Sequence, residues 1–108
     1  MPPKDFQKTL LEAIQEGLSS LGDSPKQAIL FHLENTFKIK LEEIPTKPAQ
    51  FQKALETLFG PGAPYLEQLI LEKLYNKLDL NFNGHRTEQT DFSNNIENLK
   101  QRILMGDA

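Results

Sequence analysis

The sequence predicts an all-α protein, a compact bundle of about five helices. Three observations carry that prediction. Apolar residues recur every three or four positions in five separate stretches, a spacing that places them on one helical face. Proline and glycine punctuate the joins between these stretches. No strong alternation of apolar and polar residues marks a strand anywhere in the chain.

The first stretch covers residues 4–21, where Phe6, Leu10, Ile14, Leu18 and Leu21 fall on one face before Gly22-Asp23 interrupts. A second helix is expected to start at Ser24-Pro25-Lys26-Gln27. Ser24 suits an N-cap, Pro25 the first turn, and Gln27 the return bond of a capping box. Ile29, Leu30, Leu33 and Phe37 form its buried stripe. Residues 38–48 read as an irregular connector pinned by Ile39, Leu41 and Ile44, with Pro45 and Pro48 stopping regular structure from propagating.

A third helix is expected from Ala49 to Phe59, with Phe51, Leu55, Leu58 and Phe59 inward. Gly60-Pro61-Gly62-Ala63-Pro64 makes a corner, with Gly60 suited to a left-handed cap and Pro64 to the next helix's first turn. A phosphate loop would also need Lys-Ser/Thr and a preceding strand, and neither is present. The fourth helix, 64–78, is the most apolar. Leu66, Ile70, Leu71, Leu74, Tyr75 and Leu78 cover about half its circumference, and so wide an arc predicts a central position. The last helix, 88–105, carries a narrow seam of Phe92, Ile96, Leu99 and Ile103 that resembles a coiled-coil stripe.

Composition narrows the function. The 108 residues suit one domain, and 38% hydrophobic with 25% charged residues is an ordinary globular mix. The net charge of -3 argues against non-specific nucleic-acid binding, which works by neutralising phosphates. There are no cysteines, so disulfides, thiolate metal sites and cysteine nucleophiles are excluded. The start, MPPKDFQK, lacks the apolar stretch of a signal peptide, and no run approaches a membrane span. A cytoplasmic protein without membrane contact is therefore expected.

Few side chains suggest chemistry. Residues 79–90, DLNFNGHRTEQT, partly match a calcium loop, with Asp79, Asn81 and Asn83 at ligand positions and Gly84 at the turn. The twelfth position is Thr90 instead of a bidentate glutamate, and Arg86 brings a cation close, so binding there would be weak. Asn83-Gly84 reads first as a turn, with Asp79 and Asn81 at a helix exit. His32 and His85 lack a nearby ligand partner, and His32, beside the apolar stripe, reads as a partly buried packing residue. Glu42 and Glu43 are adjacent and point apart. No catalytic constellation and no cofactor site is expected. Lys38, Lys40, Lys47 and Lys53, flanked by Phe37 and Phe51, offer a nucleic-acid alternative. The phenylalanines lie on inward faces, and the two glutamates interrupt the patch.

SPKQAILFHLEN, followed by EEIPTKPAQFQKALETLFGPGAPYLEQLILEKLY, resembles a small archaeal domain family of unknown biochemical function, the Nitrosopumilus output domain (fifth type). The likeness rests on an SPK-A-I helix start, an F-x-x-A-L helix, a GxGA corner and an apolar helix ending near L-Y-x-K-L. It covers about residues 24–78. It implies an all-helical output part of signalling or regulatory proteins, and it brings no catalytic or ligand residues. The expected function is thus a small interaction or signalling-output module that binds another protein or a second copy of itself. The seam Phe92, Ile96, Leu99 and Ile103 is its candidate surface, with closure of the domain's own core as the competing reading.

Overall fold

The computed structural model describes residues 3–80 and 92–104. Among them are five α-helices and no strand: α1 (Pro3–Ser19), α2 (Asp23–Asn35), α3 (Pro48–Phe59), α4 (Ala63–Lys77) and α5 (Phe92–Leu104). Two short 3-10 helices, Leu41–Thr46 and Gly60–Gly62, join α2 to α3 and α3 to α4.

The apolar stripes meet in one core. Phe6, Leu10, Ile14 and Leu18 of α1 are buried against Leu66, Ile70, Leu71 and Leu74 of α4, the most extensive helix pair. Four small residues complete the packing: Ala13 and Gly17 of α1, Ala54 of α3 and Ala63 of α4 are buried as well. Gly17 is needed for its size. A Cβ there would stand 2.6 Å from Cγ1 of Ile70, so any larger residue would force the Ile70 side chain or α4 itself to shift.

As its wide apolar arc predicts, α4 is central, touching α1, α3 and α5. α5 lies across α3 and α4, and Phe92 meets Phe51 of α3 with ring centroids 6.0 Å apart. Gln52 Oε1 accepts a 2.9 Å hydrogen bond from the Ser93 N–H, satisfying one of the donors that a helix start leaves open. α2 packs on α1, α3 and the first 3-10 helix at the edge of the bundle.

The joins differ from expectation in instructive ways. α2 begins at Asp23, with Gly22 as N-cap and no side-chain cap bond, so Ser24 and Gln27 form no capping box. Gly22 holds φ 101°, a conformation that glycine adopts without strain, and that backbone turn moves the start ahead of Ser24. Leu21 is consequently past the end of α1 and 37% exposed. Gly60 caps α3 with φ 56° and ψ -128°, a positive-φ conformation that lies outside the left-handed helical region.

The 38–48 connector is more regular than its two prolines suggest. Ile39 and Ile44 are buried, and Leu41–Thr46 winds as a 3-10 helix. Its start is closed by Glu43, whose Oε1 accepts the Lys40 N–H at 2.9 Å, while Lys47 Nζ lies 3.7 Å from Oε2. The Lys40 hydrogen bond, aided by the charges of Lys47 and Lys40, holds the Glu43 carboxyl below the ordinary glutamate value.

A carboxyl whose folded pKa is lowered stabilises the fold above its unfolded pKa and loses that contribution as pH falls through the folded value. Denaturant midpoints measured from neutral pH to about pH 3 will therefore fall less steeply for Glu43→Gln than for the natural sequence, the difference opening below the ordinary glutamate range. Identical profiles would show that the cap contributes nothing.

Candidate interaction surface

The predicted seam is part of the core. Phe92, Ile96 and Leu99 are buried within this chain, and Ile103 is half-buried against the same cluster. The surface expected from the sequence is therefore occupied by the domain itself. Its spacing could not tell a helix facing its own core from one facing a partner, because both bury the same stripe.

The calcium-like loop falls largely outside the described residues, including Asn81, Asn83, Gly84 and His85. Asp79 is described, and its role is in the backbone. It holds φ 59° after α4, with its N–H on the Asn76 carbonyl at 3.1 Å and the Leu80 N–H on the Tyr75 carbonyl at 2.8 Å. These two bonds form a Schellman cap, the helix exit expected for this position. Among the described residues, no cluster of three or more histidine, cysteine, aspartate or glutamate side chains could hold a metal ion.

The central lysines are dispersed. Lys38 is exposed with φ 59° at the turn after α2, Lys40 and Lys47 flank the 3-10 helix, and Lys53 is exposed on α3. Glu43 accepts from the Lys40 backbone N–H and pairs with the Lys47 ammonium. Phe51 is fully buried and Phe37 half-buried, so neither ring presents a free stacking face. Elsewhere, a shallow polar cleft between α1, α2 and α4 holds Lys26, whose Nζ donates to Ser19 Oγ at 2.9 Å. In the same cleft Lys77 pairs with Glu16 and lies 4.0 Å from Glu12. The hydrogen bond to Glu16 raises the Lys77 pKa. Lys77 thus stands between the cleft's two glutamates, while Lys26 bonds to a serine hydroxyl.

The surface that stands out is the outer side of α2. Ser24, Pro25, Gln27, Ala28, Phe31, His32 and Asn35 are all exposed. At 100° per residue they span an arc of about 160° that holds no carboxylate, ammonium or guanidinium, while Asp23, Lys26 and Glu34 fall outside it. Phe31 is 62% exposed, a large aromatic ring in water. Beside it is a hollow of about 270 Å³ between α2 and the end of α3, lined by Pro25, Ala28, Ile29, His32, Leu58 and Phe59. His32 is thus exposed and not tucked into the packing, and it meets Phe31 edge-on at 5.8 Å.

Sequence reasoning passed over this face because Phe31 interrupts the inward stripe and resembles an incidental surface apolar residue. The available signal was the absence of charge around it. Tyr65, at the start of α4, is exposed as well. No protein-family model matches the chain, and no curated protein or solved structure matches it significantly.

Placing the seam in the core has a measurable consequence. Ile96→Ala will lower unfolding free energy by about 2–5 kcal/mol, because truncating a buried isoleucine loses burial and leaves a cavity. The loss will be independent of protein concentration. A change below about 0.5 kcal/mol, or one that disappears on dilution, would return Ile96 to an interface.

Proposed function

We propose that this chain is a small protein-interaction module, a signalling-output domain that acts by docking and not by catalysis. The observation that carries the reading is Phe31, exposed on a face of α2 without charged groups and next to an apolar hollow. Interface centres are depleted of charge and enriched in aromatics, because desolvating a charge costs far more than desolvating a ring. The hollow can take one apolar side chain of another protein, and Phe31 adds an anchor beside it.

The output role that the family resemblance implies agrees with this reading, and the absence of cysteine suits a reducing cytoplasm. Among the described residues no helix is long and apolar enough to cross a membrane.

The test compares immobilised natural protein with Phe31→Asp in extracts of the source cells. Phe31 contributes little to the core, so the variant will keep the helical circular dichroism and melting profile. A protein retained by the natural chain and lost, by tenfold or more, with Phe31→Asp supports docking through α2. Equal retention by both folded proteins would remove this face from the function.

A further inference from the structure

We propose that this chain carries a second site, one that binds a free aliphatic α-amino acid. The site is a hollow of about 330 Å³ between α2 and the first 3-10 helix. It is more enclosed than the α1–α2–α4 cleft or the hollow beside Phe31. It lies on the opposite flank of the buried α2 stripe from Phe31's hollow, so it stands independently of the docking reading. Small-molecule sites span roughly 300–1,000 Å³, so this one suits a very small ligand.

The floor is apolar. Leu33 and Ile39 are buried there, and Leu30 and Leu41 are half-buried. The walls are tied together. The Ile39 N–H donates to the Leu33 carbonyl at 2.9 Å, and the Lys40 N–H donates to Glu43 Oε1 at 2.9 Å. The hollow is therefore formed before a ligand arrives, and binding need not order it.

The rim is charged. Glu34 and Glu42 contribute two carboxylates and Lys40 one ammonium, all on exposed residues. Both signs line one small hollow, yet none of the three side chains forms an ion pair or hydrogen bond among the described residues. Close by, Glu43 and Lys47 do pair. Unpaired charges of both signs above an apolar floor match a zwitterion that carries an apolar side chain. Glu34 and Glu42 take its ammonium, Lys40 takes its carboxylate, and the floor takes its branched side chain. An inorganic anion would leave the floor unused and meet two carboxylates. A hydrocarbon would cover charged groups without pairing them. A peptide end offers only one of the two charges beside its apolar side chain.

The test is an NMR titration of the isotope-labelled full chain with leucine. The rim charges are exposed and each contributes little, so the dissociation constant will be on the order of 1 mM. Amide shifts will saturate at residues 30–34 and 39–42. Glycine, which has no side chain for the floor, will bind about tenfold more weakly. Lys40→Gln will weaken leucine about threefold but will not weaken leucinamide, which lacks the carboxylate. Glu34→Gln combined with Glu42→Gln will weaken leucine but not isocaproate, which lacks the ammonium. All three positions are exposed, so the variants will keep the helical circular dichroism.

No saturable shift at these residues, or equal responses to leucine and glycine, would overturn the site. Tighter binding of N-acetyl-leucine than of leucine would make the hollow a dock for a chain's carboxyl end and overturn the amino-acid reading. Equal weakening of leucine and leucinamide by Lys40→Gln would overturn the assigned charge pairing. Phe31→Asp will leave leucine binding unchanged, so this site and docking through α2 fail separately.

Discussion

The contact between Gly17 and Ile70 is the constraint on which the rest of the bundle depends. Helices with ordinary side chains at their crossing sit 8–10 Å apart, and a missing side chain lets them come closer. Gly17 supplies that gap, and Ile70 fills it so fully that a Cβ would stand 2.6 Å from its Cγ1. The closeness brings Leu10, Ile14 and Leu18 onto Leu66, Leu71 and Leu74, making α1 and α4 the centre of the hydrophobic cluster. Glycine inside a helix costs about 1 kcal/mol in propensity relative to alanine, so the packing must exceed that cost.

With α1 on one side of α4, the remaining apolar arc of α4 faces α3 and α5. The aromatic pair Phe51–Phe92 and the Gln52–Ser93 hydrogen bond fix how α5 enters. α2 is left at the periphery, held through Ile29 and Leu33 on one side only. A helix with one face buried and the other in water normally covers its outer face with charge. α2 covers it with serine, alanine, glutamine, asparagine, histidine and phenylalanine. The core does not require that choice, and the proposed docking role rests on it.

Most of the fold was legible in the sequence, because burial follows the helical repeat in α1, α3, α4 and α5. The prediction that α4 is central followed from the width of its apolar arc. Small residues were the blind spot. Ala13, Gly17 and Ala54 are as buried as the leucines, yet a search for large apolar side chains passes over them. Helix ends depended on backbone conformation that side-chain patterns express weakly, so Gly22 starts α2 where Ser24-Pro25 seemed better placed. The seam of α5 is legible as a stripe to be buried, but the spacing does not say in which molecule. The α2 face left only a faint signal in the sequence, since missing charge marks a surface only once the fold says which side faces water.

The most direct test of the central contact is a double-mutant cycle between Gly17→Ala and Ile70→Ala, followed by denaturant unfolding. With Ile70 present, Gly17→Ala will destabilise by about 1–3 kcal/mol, because the methyl group overpacks the crossing. With Ile70→Ala the methyl has room, and the same change will be neutral or stabilising by up to about 1 kcal/mol through helix propensity. Additivity of the two changes within about 0.5 kcal/mol would contradict the close contact and the architecture built on it.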